Sequence, residues 1–250
     1  MKATFLAISI LALSSYLLLP VVSAASTNTP PLSLPMTGPE WSLLSVTCSA
    51  NGNCNSHASQ AGAIPNGGVF FVFPNAGPST STPTYASEFT ITFALSLTSS
   101  DSITASINIP TTCSPPVGGL SPCPTTAFVG NPNGHACGTR TSVRLFFHST
   151  GTNSFPTQYW WSNPSSYAIT TGGTLGATVH IGPVLMNGAS WSDFFGKFGT
   201  GAGAAGFADA IQNIKDIGLS FGSGCFFANG VGIDAATGTA NFELLNYYVS

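Results

Sequence analysis

Residues 88–97 read Glu-Phe-Thr-Ile-Thr-Phe-Ala-Leu-Ser-Leu. Phe89, Ile91, Phe93, Leu95 and Leu97 alternate with small or polar residues, and a period of two places all five large side chains on one face of an extended strand. A helix would scatter them around its circumference. The same alternation returns in Ile103, Ala105, Ile107 and Ile109, in Val143, Leu145 and Phe147, and in Leu175, Ala177, Val179 and Ile181. Val69 to Phe73 is a continuous apolar run, which predicts a strand buried on both faces.

The punctuation between these runs is that of turns. Asn-Gly pairs stand at 51–52, 66–67, 133–134, 187–188 and 229–230, and they favour the positive φ of tight turns. Residues 110–138 are rich in Gly and Pro and read as long loops. One helix is expected where Phe207, Ile211 and Ile214 recur at helical spacing with Asp209 near its start. It leads at once into the alternating Ile217, Leu219 and Phe221. A single helical turn is expected over 191–198. Many strands with one or two short helices predict an all-β sandwich, most simply a jelly roll.

The amino-terminal end has a different character. Lys2 is followed by an apolar run from Phe5 to Val22 and by the small residues Ser23, Ala24 and Ala25. This is the pattern of a secretory signal peptide with cleavage after Ala24. The expected organisation is a signal over 1–24, an extended proline-rich lead-in over 25–40, and one sandwich domain over 41–250. The protein is therefore expected to be extracellular, with no membrane attachment after cleavage.

Charge is sparse, at 5% of residues. Beyond the leader, four cations (Arg140, Arg144, Lys197 and Lys215) face eight carboxylates. Four scattered cations cannot track a phosphate backbone, so nucleic acid is excluded as a partner, and they make a poor anionic-membrane surface. Cys48, Cys54, Cys113, Cys123, Cys137 and Cys225 form an even set, which in a secreted chain predicts three disulfides among fifteen possible connectivities. Cysteines flanking a turn pair most readily, so Cys48–Cys54 and Cys113–Cys123 are expected as local clips and Cys137–Cys225 as the long-range bridge.

Two catalytic motifs occur without their context. Residues 218–222 spell Gly-Leu-Ser-Phe-Gly, the pattern of a nucleophile elbow, but no helix signal follows Ser220 and all four histidines (His57, His135, His148 and His180) precede it. A strand ending in a glycine turn is the simpler reading. Residues 201–206 spell Gly-Ala-Gly-Ala-Ala-Gly without a buried strand before them or a suitably spaced acid after them, and are read as a flexible loop. The histidines show no paired metal-ligand spacing. For glycoside hydrolysis, which needs two carboxylates across a cleft, Glu40, Glu88, Asp193 and Glu243 qualify by residue type alone. Glu88 and Glu243 are more simply solvent-side strand residues. No cofactor is expected, apart from a possible structural calcium between Glu40 and Glu243.

The stretch from Phe207 to Val249 carries Asn213-Ile214, then 217–222 (Ile-Gly-Leu-Ser-Phe-Gly), the glycine-aromatic turn 224–232 and a terminal strand from Phe242. It resembles the closing part of galactose-binding-like jelly rolls, the fold of many carbohydrate-binding modules and laminin-B-type domains, and similar tails occur in secreted fungal proteins. The resemblance implies the sandwich and transfers no sugar-contacting residue.

An uncharged surface rich in hydroxyls and amides, with a few aromatic rings, suits a neutral glycan or cell-wall polysaccharide. Sugar C–H faces stack on rings while hydroxyls bond to Asn, Gln and Ser. The expected platform is Gln158, Tyr159, Trp160, Trp161 and Asn163, with Tyr167 nearby and Trp191 as an outlier. In a strand Tyr159 and Trp161 share one face and Trp160 takes the other. The competing expectation is that these rings pack between sheets. A non-catalytic glycan binder is the first reading. A structural wall or matrix protein is the second, and a polysaccharide hydrolase or lyase with an unrecognised site is the third.

Overall fold

The computed structural model describes residues 30–49, 52–65, 67–78, 80–113, 127–131, 141–151, 155, 157–163, 166–169, 176–222 and 229–250. The first half of the chain supplies β1 (Leu32–Ser33), β2 (Trp41–Cys48), β3 (Cys54–Gln60), β4 (Gly62–Ala63), β5 (Val69–Val72), β6 (Thr84–Leu95), β7 (Ser102–Asn108) and β8 (Thr111–Cys113). Then follow β9 (Phe128–Gly130), β10 (Ser142–Ser149), β11 (Tyr159–Ser162), β12 (Tyr167–Ala168), β13 (Val179–Leu185) and β14 (Trp191–Asp193). The chain closes with α1 (Ala204–Gln212), β15 (Ile214–Gly222), β16 (Val231–Ile233) and β17 (Gly238–Val249).

These strands form two antiparallel sheets. The seven-stranded sheet runs β13-β7-β17-β5-β4, with β1 and β8 also pairing β17. The ten-stranded sheet runs β14-β11-β10-β15-β6-β16-β9, with β12 on β10 and the β2–β3 hairpin on β6. After the β2–β3 hairpin, the strands β5, β6, β7, β10, β13, β15 and β17 alternate between the two sheets, as in a jelly roll. The protein is an all-β sandwich.

The alternation seen in the sequence explains the core. Phe89 and Ile91 of β6, Ile103, Ala105 and Ile107 of β7, and Val143, Leu145 and Phe147 of β10 are all buried. Phe71 sits at the centre, with ring centroids 5.1 Å from Phe73 and Phe89, 5.2 Å from Phe242 and 5.4 Å from Phe221. Phe71 thus meets Phe89 and Phe221 of the opposite sheet tilted or edge to face and stacks on Phe242 of its own sheet, a mixture that ring quadrupoles allow. Tyr247 is buried beside Trp41, and its phenol donates to the Gly218 carbonyl at 3.2 Å. Desolvation raises its ionisation well above the usual tyrosine range.

Several expectations change in detail. The 69–73 run is buried on one face only: Val69, Phe71 and Phe73 point inward while Val72 is exposed, because β5 lies in a sheet whose outer face meets solvent. The end of the lead-in belongs to the sandwich, since β1 pairs with Tyr248 and Val249 and Leu34 is buried. Residues 191–193 form a strand on β11 instead of a helical turn. The glycine run 201–206 enters α1 through a 3₁₀ turn and is not a loose loop. Gly203 has no room for a Cβ, which would lie 2.2 Å from the Phe198 carbonyl oxygen. Ile214 opens β15 and does not extend the helix.

Cys48 and Cys54 are disulfide-bonded across the β2–β3 turn, with Cα atoms 4.1 Å apart. The side chains of the other four cysteines, and with them the Cys113–Cys123 and Cys137–Cys225 pairings, lie outside the described residues. So does the leader. Among the described residues no helix is long and apolar enough to cross a membrane.

Candidate functional site on the outer face of the ten-stranded sheet

Alternation that sends Val143, Leu145 and Phe147 inward sends Arg144, Phe146 and His148 to the outer face of the ten-stranded sheet. Cross-strand register then assembles three rows. Thr92, Asp216, His148 and Tyr159 stand side by side across β6, β15, β10 and β11. The next row is Thr90, Gly218, Phe146 and Trp161, and the third is Glu88, Ser220 and Arg144. Gly218 cannot carry a side chain here, since a Cβ would lie 2.2 Å from the Phe89 carbonyl oxygen.

The first row is a hydrogen-bonded relay. Asp216 accepts from Thr92 Oγ1 at 2.6 Å and from His148 Nδ1 at 2.9 Å, with Lys215 Nζ at 3.8 Å. His148 stacks on Tyr159, their centroids 4.5 Å apart. Burial by itself would raise the Asp216 carboxyl, but these hydrogen bonds and the neighbouring positive charges outweigh it and hold the group below the ordinary aspartate range. Glu88 takes the opposite course. Desolvation, assisted by the charge of Asp216, pushes its carboxyl up to about 7. Desolvation also raises the Tyr159 phenol, with Glu88 and Asp216 adding to the effect.

An aromatic cluster flanks these rows. Trp161 lies 5.2 Å from Phe146, 6.4 Å from Tyr159 and 6.3 Å from Phe194. The cluster climbs outward through Phe155, which is 5.5 Å from Tyr159 and 4.9 Å from Phe194, and then to Phe195, 5.7 Å from Phe194. Phe155 and Phe195 are 58% and 59% exposed.

The residues singled out in the sequence divide sharply. Trp160 turns inward onto Phe207, and Trp191 packs on Phe147, so neither presents a face to solvent. Trp161 points outward as its alternation requires, yet only 2% of it is exposed because the neighbouring rings cover it. Trp41, Trp160 and Trp191 each donate to a backbone carbonyl, whereas Trp161 Nε1 has no partner among the described residues. Tyr159 and Gln158 are half-buried. Asn163 accepts from Arg144 Nη1 and donates to Ser192 Oγ, both at 2.6 Å, and the Tyr167 phenol accepts from the Gly182 N–H. The open stacking surface is therefore Phe155 and Phe195 with Tyr159, and the buried indoles support it from beneath.

The carboxylates first considered for hydrolysis are mostly occupied. Asp193 accepts the N–H groups of Phe195 and Lys197, Glu40 accepts from Thr37, and Glu243 accepts from Asn108 at 3.1 Å on the other sheet. Glu40 and Glu243 thus have separate local partners. Among the described residues no group of three or more His, Cys, Asp or Glu is placed to hold a metal.

Compared with known proteins, the chain matches no family model and no curated relative.

Proposed function

We propose that this is a secreted glycan-binding protein whose binding surface is the outer face of the ten-stranded sheet. The observation that carries the reading is the exposed ridge of Phe155 and Phe195, in ring contact through Phe194 and continuous with the half-buried Tyr159 and His148. Exposed rings joined through a shared neighbour over a packed aromatic base form an apolar strip, and such strips mark binding surfaces. Sugars match a strip of this kind because their C–H faces stack on rings while their hydroxyls reach the polar rows alongside. The leader pattern, the disulfide and the scarcity of charge all fit an extracellular setting. A screen of immobilised polysaccharides tests the reading: retention on at least one glycan is expected, and retention on none would overturn it.

One observation favours a second reading, hydrolysis of the bound glycan. On adjacent strands Glu88 is pushed up to about 7 while Asp216 is held down, and environments that drive two carboxyls apart define an acid and a base. Glu88 would give its proton to the leaving glycosidic oxygen while Asp216 takes one from the attacking water. Product release from the retained polymer, lost in Glu88→Gln with retention intact, would establish this reading. Intact polymer after prolonged incubation would exclude it.

A further inference from the structure

Arg144 is a cation that the fold buries without an anion. Only 3% of it is exposed, and desolvation lowers its guanidinium to about 10, so it stays charged through the acid and neutral range. It donates to Asn163 Oδ1 at 2.6 Å and, at a long 3.4 Å, to Ser142 Oγ. A guanidinium has five N–H donors, and these contacts leave most of them unmet. All eight Asp and Glu residues lie in described residues, yet among the described residues the ion pairs are those of Asp216 with His148 and Lys215, and none reaches Arg144. A buried charge with no counter-ion is costly unless something else supplies one.

A second, independent unpartnered group stands beside it. Ser220 is directly opposite Arg144 on β15, and its Oγ is buried with no hydrogen-bond partner among the described residues. Cross-strand neighbours on one face have Cβ atoms roughly 5 Å apart. The guanidinium reaches from there toward Asn163 and Ser142, and a planar carboxylate set between it and the Ser220 hydroxyl can offer one oxygen to each donor. Behind them Gly222, opposite Ser142, contributes no side chain. On the far side of Ser220 stands Glu88, whose negative form would repel a dianion and tolerate a monoanion better.

We infer that Arg144 and Ser220 form a carboxylate subsite, and that the glycan this face takes carries uronate residues. The inference rests on the glycan reading above and narrows it. Sparse charge suggested a neutral ligand, whereas an unpaired arginine on the binding face calls for an acidic sugar. The arginine row lies four residues along β10 from the His148–Tyr159 row, roughly 13 Å, so a further uronate of the same glycan chain, and not the stacked sugar itself, brings its carboxylate to Arg144.

The test is calorimetric titration of the full chain with three probes: an oligogalacturonate hexamer, the same hexamer methyl-esterified, and sodium acetate. The acid hexamer is expected to bind at least about tenfold more tightly than its ester, the value of one charge-assisted hydrogen bond. Arg144→Gln should bring the acid-to-ester ratio close to one, and Ser220→Ala should lower it severalfold. Should Arg144→Gln fail to fold, Ser220→Ala carries the test. Equal affinity for acid and ester in the wild type overturns the subsite and leaves the glycan reading standing. Acetate binding as tightly as the hexamer overturns it too, by showing an isolated anion site. Failure of both hexamers, together with retention on no polysaccharide, removes the glycan reading and the subsite with it.

Discussion

His148 lies flat against Tyr159, ring planes 21° apart, while its Nδ1–H is held by the Asp216 carboxylate at 2.9 Å. The carboxylate fixes the imidazole, and the imidazole in turn fixes the phenol at the foot of the exposed ridge. Asp216→Asn should therefore cost about 1–2 kcal/mol in denaturant unfolding, the loss of a charge-assisted hydrogen bond that is half-buried and partly screened. The same change should abolish the low-pH fall in stability. That fall arises because a depressed carboxyl gives stability that is lost as pH drops through its folded pKa.

Glu88 gives the opposite slope. Its folded state holds the proton up to about 7, whereas the unfolded carboxyl releases it near 4.5. Stability from this group is complete below 4.5 and falls as pH rises to about 7. The charge that acts on it is that of Asp216 on β15, and Tyr159 on β11 is near enough to feel its own; its cross-strand neighbours are the uncharged Ser220 on β15 and Leu44 on β2. Ionising Glu88 should cost on the order of 2–3 kcal/mol, so the melting temperature should drop by roughly 5–10 °C between mildly acid and neutral pH. Thermal melts of Glu88→Gln should show little of that slope.

The phenylalanine core and the phenylalanine ridge should respond in opposite ways to truncation. Phe71→Ala removes a ring packed by four others and should cost about 3–5 kcal/mol. Phe195→Ala should stay within about 0.5 kcal/mol of wild type, as exposed substitutions generally do. Equilibrium unfolding in urea measures both.

The Cys48–Cys54 bridge closes a short loop, so its removal should cost about 2 kcal/mol on loop-entropy grounds. Cys48→Ser with Cys54→Ser tests this, and non-reducing peptide mapping of the same samples decides whether Cys113 pairs with Cys123 and Cys137 with Cys225.

Much of the frame was readable before any coordinates. Alternation through Phe89 and Ile91, and through Val143, Leu145 and Phe147, reports which side chains face the core, because strand geometry allows no other reading. What stayed hidden was register. Arg144, Phe146, His148, Asp216 and Ser220 are simply the intervening positions of those same strands, and alternation marks them as outward. Nothing in one-dimensional spacing tells that β10 pairs β15 so that Arg144 meets Ser220 and His148 meets Asp216. The Gly-Leu-Ser-Phe-Gly stretch is strand, as its context implies, yet its Ser220 hydroxyl has no partner among the described residues. The tryptophans are hidden for a different reason: indoles are the residues most worth burying, and the most exposed rings among the described residues are the less conspicuous Phe155 and Phe195. These come from connecting segments, where periodicity carries no signal.

The central claim is that the Phe155–Phe195 ridge holds a glycan, and one comparison tests it most directly. Wild type and the double variant Phe155→Ala/Phe195→Ala are passed over the polysaccharide that best retains the wild type, with melting temperature measured on the same preparations. The account predicts that the variant melts within about 3 °C of wild type, since both rings are exposed, and that its retention falls at least about tenfold, since ring stacking on two residues is lost. Undiminished retention by a folded double variant would contradict the account.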